Sequence, residues 1–355
     1  MKKSRLWQLG IGLLILVIIL SCTIGVSAAP KKLKVFFVPK FTGFIFFELA
    51  RDGAEKACKD LGAELTYVGT TTADVEGQVQ VLRNLVAQKP DCIVTALLDR
   101  NASVPTLKMM RQRGTTVVTF DDDAAAEGRD VFVNMAPFEV QGQAQLESAL
   151  YNAPEGGKVI WLAPSPTSSA FIGQKKGIDW NIEHNPRYQG FKFIDTLYMD
   201  DDPDKSYSVA LSAMQAHPDL RGFITGSGIA NPAVNKAIQD SGKTGKVFCT
   251  GHALPSTMKT FLDNGVCKQY ALWSPYWFGY MATYLAIQME KGKVKGRDGV
   301  KFKIPNVGTR SFESSPNGLV TNLNMMMFFR KDHDDFNTGL LMNDVLKTLK
   351  VPLAK

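Results

Sequence analysis

"VFFVPKFTGFIFF", residues 35–47, sets two apolar runs on either side of Pro39 and Lys40. Proline has no N–H to give a sheet, so "KVFFVPK" (34–40) reads as a buried strand that stops at its own carboxyl end. Gly43 permits a turn, and an amphipathic helix is expected over 44–62. Lys40 then has two readings, a surface lysine at a strand end or a lysine handed to a cleft. The apolar flanks favour the cleft.

The same punctuation recurs downstream. "AELTYVG" (63–69) reads as a strand and 74–89 as a helix with apolar Val75, Val79, Leu82, Leu85 and Val86 at helical spacing. "CIVTALL" (92–98), a helix near 103–113, "TTVVTFDDD" (115–123) and "DVFVNM" (130–135) follow. The pattern restarts with a helix over 137–152, "KVIWLAPS" (158–165), a helix from about 170 and "FKFIDTLY" (191–198). A helix over 204–217, "GFITGS" (222–227), a helix over 231–241 and "KVFCTG" (246–251) complete the second round. A short helix (255–264), "CKQYALW" (267–273) and a long helix (276–291) come last. Alternation of this kind predicts an α/β protein, two Rossmann-like lobes with parallel sheets and helices on both faces. Facing lobes merge their strand-end crevices into one cleft. Lys40, Asp121, Ser165, Ser227 and Ser274 each follow a strand and are expected at its rim.

With 355 residues, 45% of them hydrophobic and 21% charged, the chain is globular and long enough for two cores. The formal charge of +7 falls to +4 once Lys2, Lys3 and Arg5 are set aside as part of a leader. "KGKVKGRDGVKFK" (291–303), the densest basic stretch, lacks interleaved aromatics and reads as a solvated connector, so no nucleic-acid partner is expected. Residues 1–29 have the basic start, apolar run and small-residue end of an export signal, with cleavage near Ala28. A second reading takes "ILSC" (19–22) as a lipoprotein box with Cys22 lipidated. An uncleaved anchor is the third, and all three put the body outside the cytoplasmic membrane.

Cys58, Cys92, Cys249 and Cys267 show no CxxC spacing and read as buried apolar residues. The four histidines are scattered, "DDDPD" (200–204) lacks EF-hand spacing, "GSG" (226–228) is a weak phosphate signal, and no GxSxG elbow occurs. No metal, cofactor or enzymatic activity is expected. His252, after a strand end, is a further candidate to line the cleft.

The stretches "PKFTG", "GQVQVLRNLVAQKPDCIVTA" (77–96), "TTVVTFDDD", "SPT" (165–167), "ALW" and "SPNGLV" (315–320) resemble the sugar-binding proteins of ABC importers in the ribose-binding superfamily. The Lsr-type autoinducer-2 receptors and rhamnose-binding proteins are the nearest branch. The resemblance implies a type I periplasmic binding protein, with three crossovers between lobes. One lobe is expected from 31–135 plus 254–297, the other from 136–253 plus 298–355. It also implies a small sugar-like ligand, a permease partner and, alternatively, a sensor protein. Lys40 and Asp121 match the lysine and aspartate that those receptors use. Ala170 and Phe171 stand where the receptors carry an aspartate–glutamine pair, and Gly226 and Gly228 where they carry proline and alanine. Ala253 and Ser274 stand where sugar binders place carboxylates. The expected ligand contacts are therefore Lys40, Phe41, Phe44, Asp121, Asn134, Ala170, Phe171, Gly226, Gly228, Trp273 and Ser274. Glycines are expected to widen the pocket and the second lobe to have lost most of its polar groups. Asn134 reads as a hinge residue before a contact.

Overall fold

The computed structural model describes residues 31–134 and 136–295, and beyond them the strands at 301–304, 308–313, 319–321, 326–329 and 340–341. The expected leader and Cys22 lie outside the described residues. β1 (Lys34–Val38) stops one residue before Pro39, and α1 (Ile45–Leu61) starts just after Gly43, which sits at φ +84°. The Gly43 N–H donates to Glu48 Oε1 at 2.9 Å, so a carboxylate in the first turn satisfies a donor ahead of the helix.

The first round continues through β2 (Glu64–Tyr67), α2 (Val75–Val86), β3 (Cys92–Thr95), α3 (Val104–Gln112), β4 (Thr116–Phe120) and β5 (Val131–Asn134). β1, β3 and β4 carry Val, Ile, Phe and Thr on both faces and are buried almost throughout, as central strands of a covered parallel sheet must be. The second round comprises α4 (Phe138–Asn152), β6 (Gly157–Ala163), α5 (Ser169–His184), β7 (Phe191–Tyr198), α6 (Pro203–Ala216), β8 (Leu220–Thr225), α7 (Ala230–Asp240) and β9 (Phe248–Gly251). After it come α8 (Pro255–Asp263), β10 (Gln269–Leu272), α9 (Pro275–Glu290), β11 (Lys301–Ile304), β12 (Gly308–Glu313), β13 (Leu319–Thr321), β14 (Met326–Phe329) and β15 (Leu340–Leu341).

The first sheet runs β2-β1-β3-β4-β5-β13-β12-β11, parallel from β2 to β13 and antiparallel at the β12 and β11 edge. The second runs β7-β6-β8-β9, all parallel. β10 lies beside it through a parallel bridge between His252 and Ala271, and β14 and β15 pair onto β10. The chain thus passes between sheets after β5, after β10 and between β13 and β14. That makes three crossovers, the first where the expected lobes divide. β10, expected with the first lobe, sits beside β9, where Thr250 Oγ1 and Asn152 Nδ2 both donate to the Gln269 carbonyl. β11–β13, expected with the second lobe, extend the first sheet. A register of alternating elements gives strand order within a round but not which edge accepts a late strand.

α9 returns to the first lobe and packs along α1. Two glycines set their approach. A Cβ on Gly53 would meet the Tyr276 carbonyl oxygen at 1.9 Å, and one on Gly279 would meet that of Ala50 at 1.9 Å. Backbone touches backbone here, which only glycine permits. Beneath, Phe37, Phe120 and Phe278 pack in one core cluster, with ring centroids 4.9 Å apart for Phe37–Phe120 and 5.4 Å for Phe120–Phe278.

Candidate functional site

The carboxyl ends of both sheets open on a single cavity. Lys40 follows β1, Asp121 β4, Asp201 β7, Gly226 and Ser227 β8, Ala253 β9 and Trp273 β10; all line it. About 60 Å³ is open to the centres of water-sized spheres. One water needs only ~10–15 Å³ on that measure, so the space suits a small organic molecule.

Lys40 is held by the sheet ends beneath it. Gln78 on α2 donates through Nε2 to the carbonyls of Pro39 (3.0 Å) and Ala96 (2.8 Å), and its Oε1 accepts from the Leu98 N–H (3.0 Å). One buried amide thus ties β1 and β3 together just where Lys40 begins. The ammonium lies 3.1 Å from Asp121 Oδ2 and 3.1 Å from Asp122 Oδ2, with 8% of the side chain exposed. Burial works against its charge, but Asp121, Asp122 and Asp201 outweigh burial and hold it protonated above the ordinary lysine range.

The three consecutive aspartates separate into three jobs. Asp121 faces the cavity from a left-handed backbone, φ +63°, a strained conformation that Asp tolerates better than most residues. Burial pushes its carboxyl up, Lys40 opposes this, and Asp122 adds to it. Asp122 reaches across to the second lobe, accepting from Ser168 Oγ, Ser169 Oγ and the Ala170 N–H (2.9 Å) at the start of α5. Asp123 turns inward to Arg129, which donates through Nε and Nη2 at 2.6 and 2.7 Å, and to Thr119 Oγ1.

Opposite stands Asp201, also left-handed at φ +51°, whose Oδ1 accepts from Ser227 Oγ at 2.8 Å. Burial raises its carboxyl, against the pull of Lys40 and the Ser227 hydroxyl. Gln141 and Gln174 add two amides within a buried chain. Gln141 Nε2 donates to Asn134 Oδ1 (2.9 Å), Gln174 Nε2 to Gln141 Oε1 (2.8 Å), and Gln145 Nε2 to Gln174 Oε1 (2.9 Å). The Gln145 amide lies 3.3 Å from the His252 ring. Burial holds that imidazole far down, at about 3, so it is neutral.

Phe41, Phe44, Phe46, Phe47, Phe171 and Trp273 form the apolar wall, with Phe41 and Phe44 stacked at 5.9 Å. The Trp273 indole stands edge-on to Phe46, Phe278 and His252. Its N–H is buried with no acceptor among the described residues.

Of the expected contacts, Lys40, Phe41, Phe44, Asp121, Ala170, Phe171, Gly226, Gly228 and Trp273 line the cavity. Asn134 and Ser274 do not. Asn134 is buried under Gln141, and Ser274 caps α9 by accepting from the Trp277 N–H. Ser165 bonds locally with Thr167 at the surface. Two expectations about the second lobe are corrected. Gly226 does not widen the cavity, because a Cβ there would fall 2.1 Å from Gln174 Oε1; the glycine makes room for that amide. Nor is the lobe depleted of polar groups, since Asp201, Ser227, Gln141 and Gln174 supply them.

Residues 35–294 match the family model described as the periplasmic binding protein domain. The chain belongs to the periplasmic binding proteins. A sugar ABC transporter from Actinomyces odontolyticus is 31% identical to this binding protein, covering 86% of this chain and 98% of its own, with a TM-score of 0.69. LsrB from Clostridium saccharobutylicum, solved with AI-2, is 27% identical over 86% of this chain and 100% of its own, with a TM-score of 0.78. A solute-binding protein from Clostridium phytofermentas, solved with L-rhamnose, shares the fold at 23% identity and a TM-score of 0.81, covering 86% of this chain and 98% of its own. The resemblance read from the motifs holds, and the type I fold with it. Periplasmic binding proteins are extracytoplasmic components of transport systems.

Proposed function

We propose that this binding protein captures a small sugar or sugar-like ligand between its lobes and delivers it to the membrane permease of an ABC importer. The observation that carries the reading is the composition of the cavity: carboxyl acceptors from both lobes and a lysine donor from the first, set against flat aromatic walls. Carboxylates accept from paired hydroxyls, lysine donates to hydroxyl or carbonyl oxygens, and aromatic faces cover the C–H faces of a sugar ring. Lys40 and Asp121 hold the ligand from the first lobe, Asp201 and Gln174 from the second, and Phe44, Phe171 and Trp273 flank it. Capture involves no covalent chemistry. Export through the amino-terminal leader, with or without lipidation at Cys22, belongs to the same reading.

An autoinducer-2 receptor is the second reading, favoured by the lysine and aspartate at Lys40 and Asp121 and by the likeness to LsrB. A sensory role with a chemoreceptor or histidine kinase would use the same cleft.

Thermal denaturation with a panel of pentoses, hexoses, deoxyhexoses and autoinducer-2 tests the proposal. A ligand at a hundred times its Kd adds about 2.7 kcal/mol. A sugar shift lost in Lys40→Met and Asp201→Ala supports the reading. A shift indifferent to both removes these residues from the site, and autoinducer-2 alone shifting the midpoint selects the second reading.

A further inference from the structure

Among the described residues the charges around the cavity do not balance. One ammonium, Lys40, faces three carboxylates, those of Asp121, Asp122 and Asp201. Among the described residues, Arg129 is committed to Asp123 and Lys205 to Asp200, and Arg100, whose charge acts on Asp123, is exposed. His252 behind the amide chain is neutral. Helix ends supply part of the difference. The Ala170 N–H at the start of α5 donates to Asp122, and Ser227, whose hydroxyl donates a hydrogen bond to Asp201, accepts from the Ile229 and Ala230 N–H groups at the start of α7. Each helix terminus is equivalent to about half a positive charge. With all three carboxylates ionised, two such termini leave about one negative charge to be met in a buried site, and burial already strains the ionised form of Asp121 and Asp201.

The distribution matters as much as the sum. Asp122 is saturated by two hydroxyls, an amide and Lys40. Asp121 has Lys40, and Asp201 has one hydroxyl, so the spare acceptor capacity belongs to the two carboxylates that line the cavity. A neutral ligand would shut that excess charge away from water. A ligand bearing one cation would neutralise it, and the aromatic faces opposite attract a cation further.

We infer that the preferred ligand is a small polyhydroxylated ring carrying a single ammonium group, an amino sugar or amino polyol, with its nitrogen between Asp121 and Asp201. This rests on the sugar-receptor reading above and names the ligand class within it.

Isothermal titration calorimetry of the purified protein tests it with D-glucosamine, D-galactosamine and D-mannosamine, each against its neutral parent hexose and its N-acetyl form. At least one amine is expected to bind tenfold or more tightly than both neutral counterparts. Asp201→Asn, which keeps shape and a hydrogen-bonding oxygen, is expected to weaken binding of both the amine and its neutral parent, but to cut the amine's affinity at least tenfold more than that of the parent. Neutral sugars binding as tightly as, or more tightly than, the amines overturn the inference and leave the sugar-receptor reading standing. If no carbohydrate on the panel binds, both fall. The wild-type comparison decides the matter even if the variant fails to fold.

Discussion

Asp122 joins the lobes without lining the cavity, so it separates closure from contact. In Asp122→Asn the shape survives, but one of two carboxylate oxygens becomes a donor. The carboxylate accepts from Ser168, Ser169 and the Ala170 N–H and lies 3.1 Å from Lys40. The amide keeps one accepting oxygen, so about two charge-assisted hydrogen bonds are lost. At ~1.5–3 kcal/mol each, the closed arrangement loses about 3–6 kcal/mol against an open one in which water serves the same groups. Each 1.4 kcal/mol is a factor of ten in the equilibrium between lobes. Apparent affinity falls with the fraction of molecules able to close, so part of this loss is absorbed while closed molecules remain the majority. A 10- to 100-fold rise in apparent Kd is expected, measured calorimetrically with whichever sugar shifts the wild-type protein most. Small-angle scattering of the ligand-free variant should show a larger radius of gyration than the wild type. An apparent Kd within threefold, with identical scattering curves, would refute the assignment of Asp122 as the tie between lobes.

His252 gives a pH prediction. Its folded-state value, about 3, lies below the ordinary 6.5, so its contribution is complete above 6.5 and is lost as pH falls toward 3. One proton gives a slope of about 1.4 kcal/mol per pH unit. Urea titrations across this range should show a shallower slope in His252→Gln than in the wild type. Asp121 and Asp201 act with the opposite sign. Their raised carboxyls cost stability as they ionise, so whatever Asp121→Asn costs through the Lys40 pair, its stability should fall less than the wild type's as pH rises from 4 to 7. Gly279→Ala places a methyl 1.9 Å from a backbone oxygen that cannot move aside, and should cost more than about 3 kcal/mol by chemical denaturation. Gly226→Ala meets side chains rather than backbone, the end of Gln174 and, at 3.2 Å, the Phe171 ring, so about 1–2 kcal/mol is expected, with a larger change in ligand preference than in stability.

Most of the architecture was readable because its signals are local. Strand ends at Pro39, Asp121 and Gly251 follow from apolar runs meeting turn residues, and the rule that ligands sit beyond strand carboxyl ends placed Lys40 without any contact information. Lobe membership of β10 and β11–β13 was not readable, since an edge strand carries no mark of the sheet that receives it. Within the site, Asp201 was missed by weighing "DDDPD" only as a metal motif. Its signal was positional: it follows the strand 191–198, as the other rim residues follow theirs. Gln174 carried a weaker signal, one helical turn beyond Phe171 and on the same face. Gly226 misled because an absent side chain does not reveal what fills its place. The division of labour among Asp121, Asp122 and Asp123 depends on Arg129, Ser168 and Ser169, brought near by folding alone.

Trp273 occupies the two-residue passage between β10, beside the second sheet, and α9, locked against α1 by the Gly53 and Gly279 contacts. Its indole meets Phe46 of one lobe and His252 of the other, and it also lines the cavity. The protein therefore carries its own optical reporter at a place where occupancy and lobe angle coincide. With the remaining tryptophans replaced, its emission colour would register whether the cleft is filled, with no dye, label or transport partner.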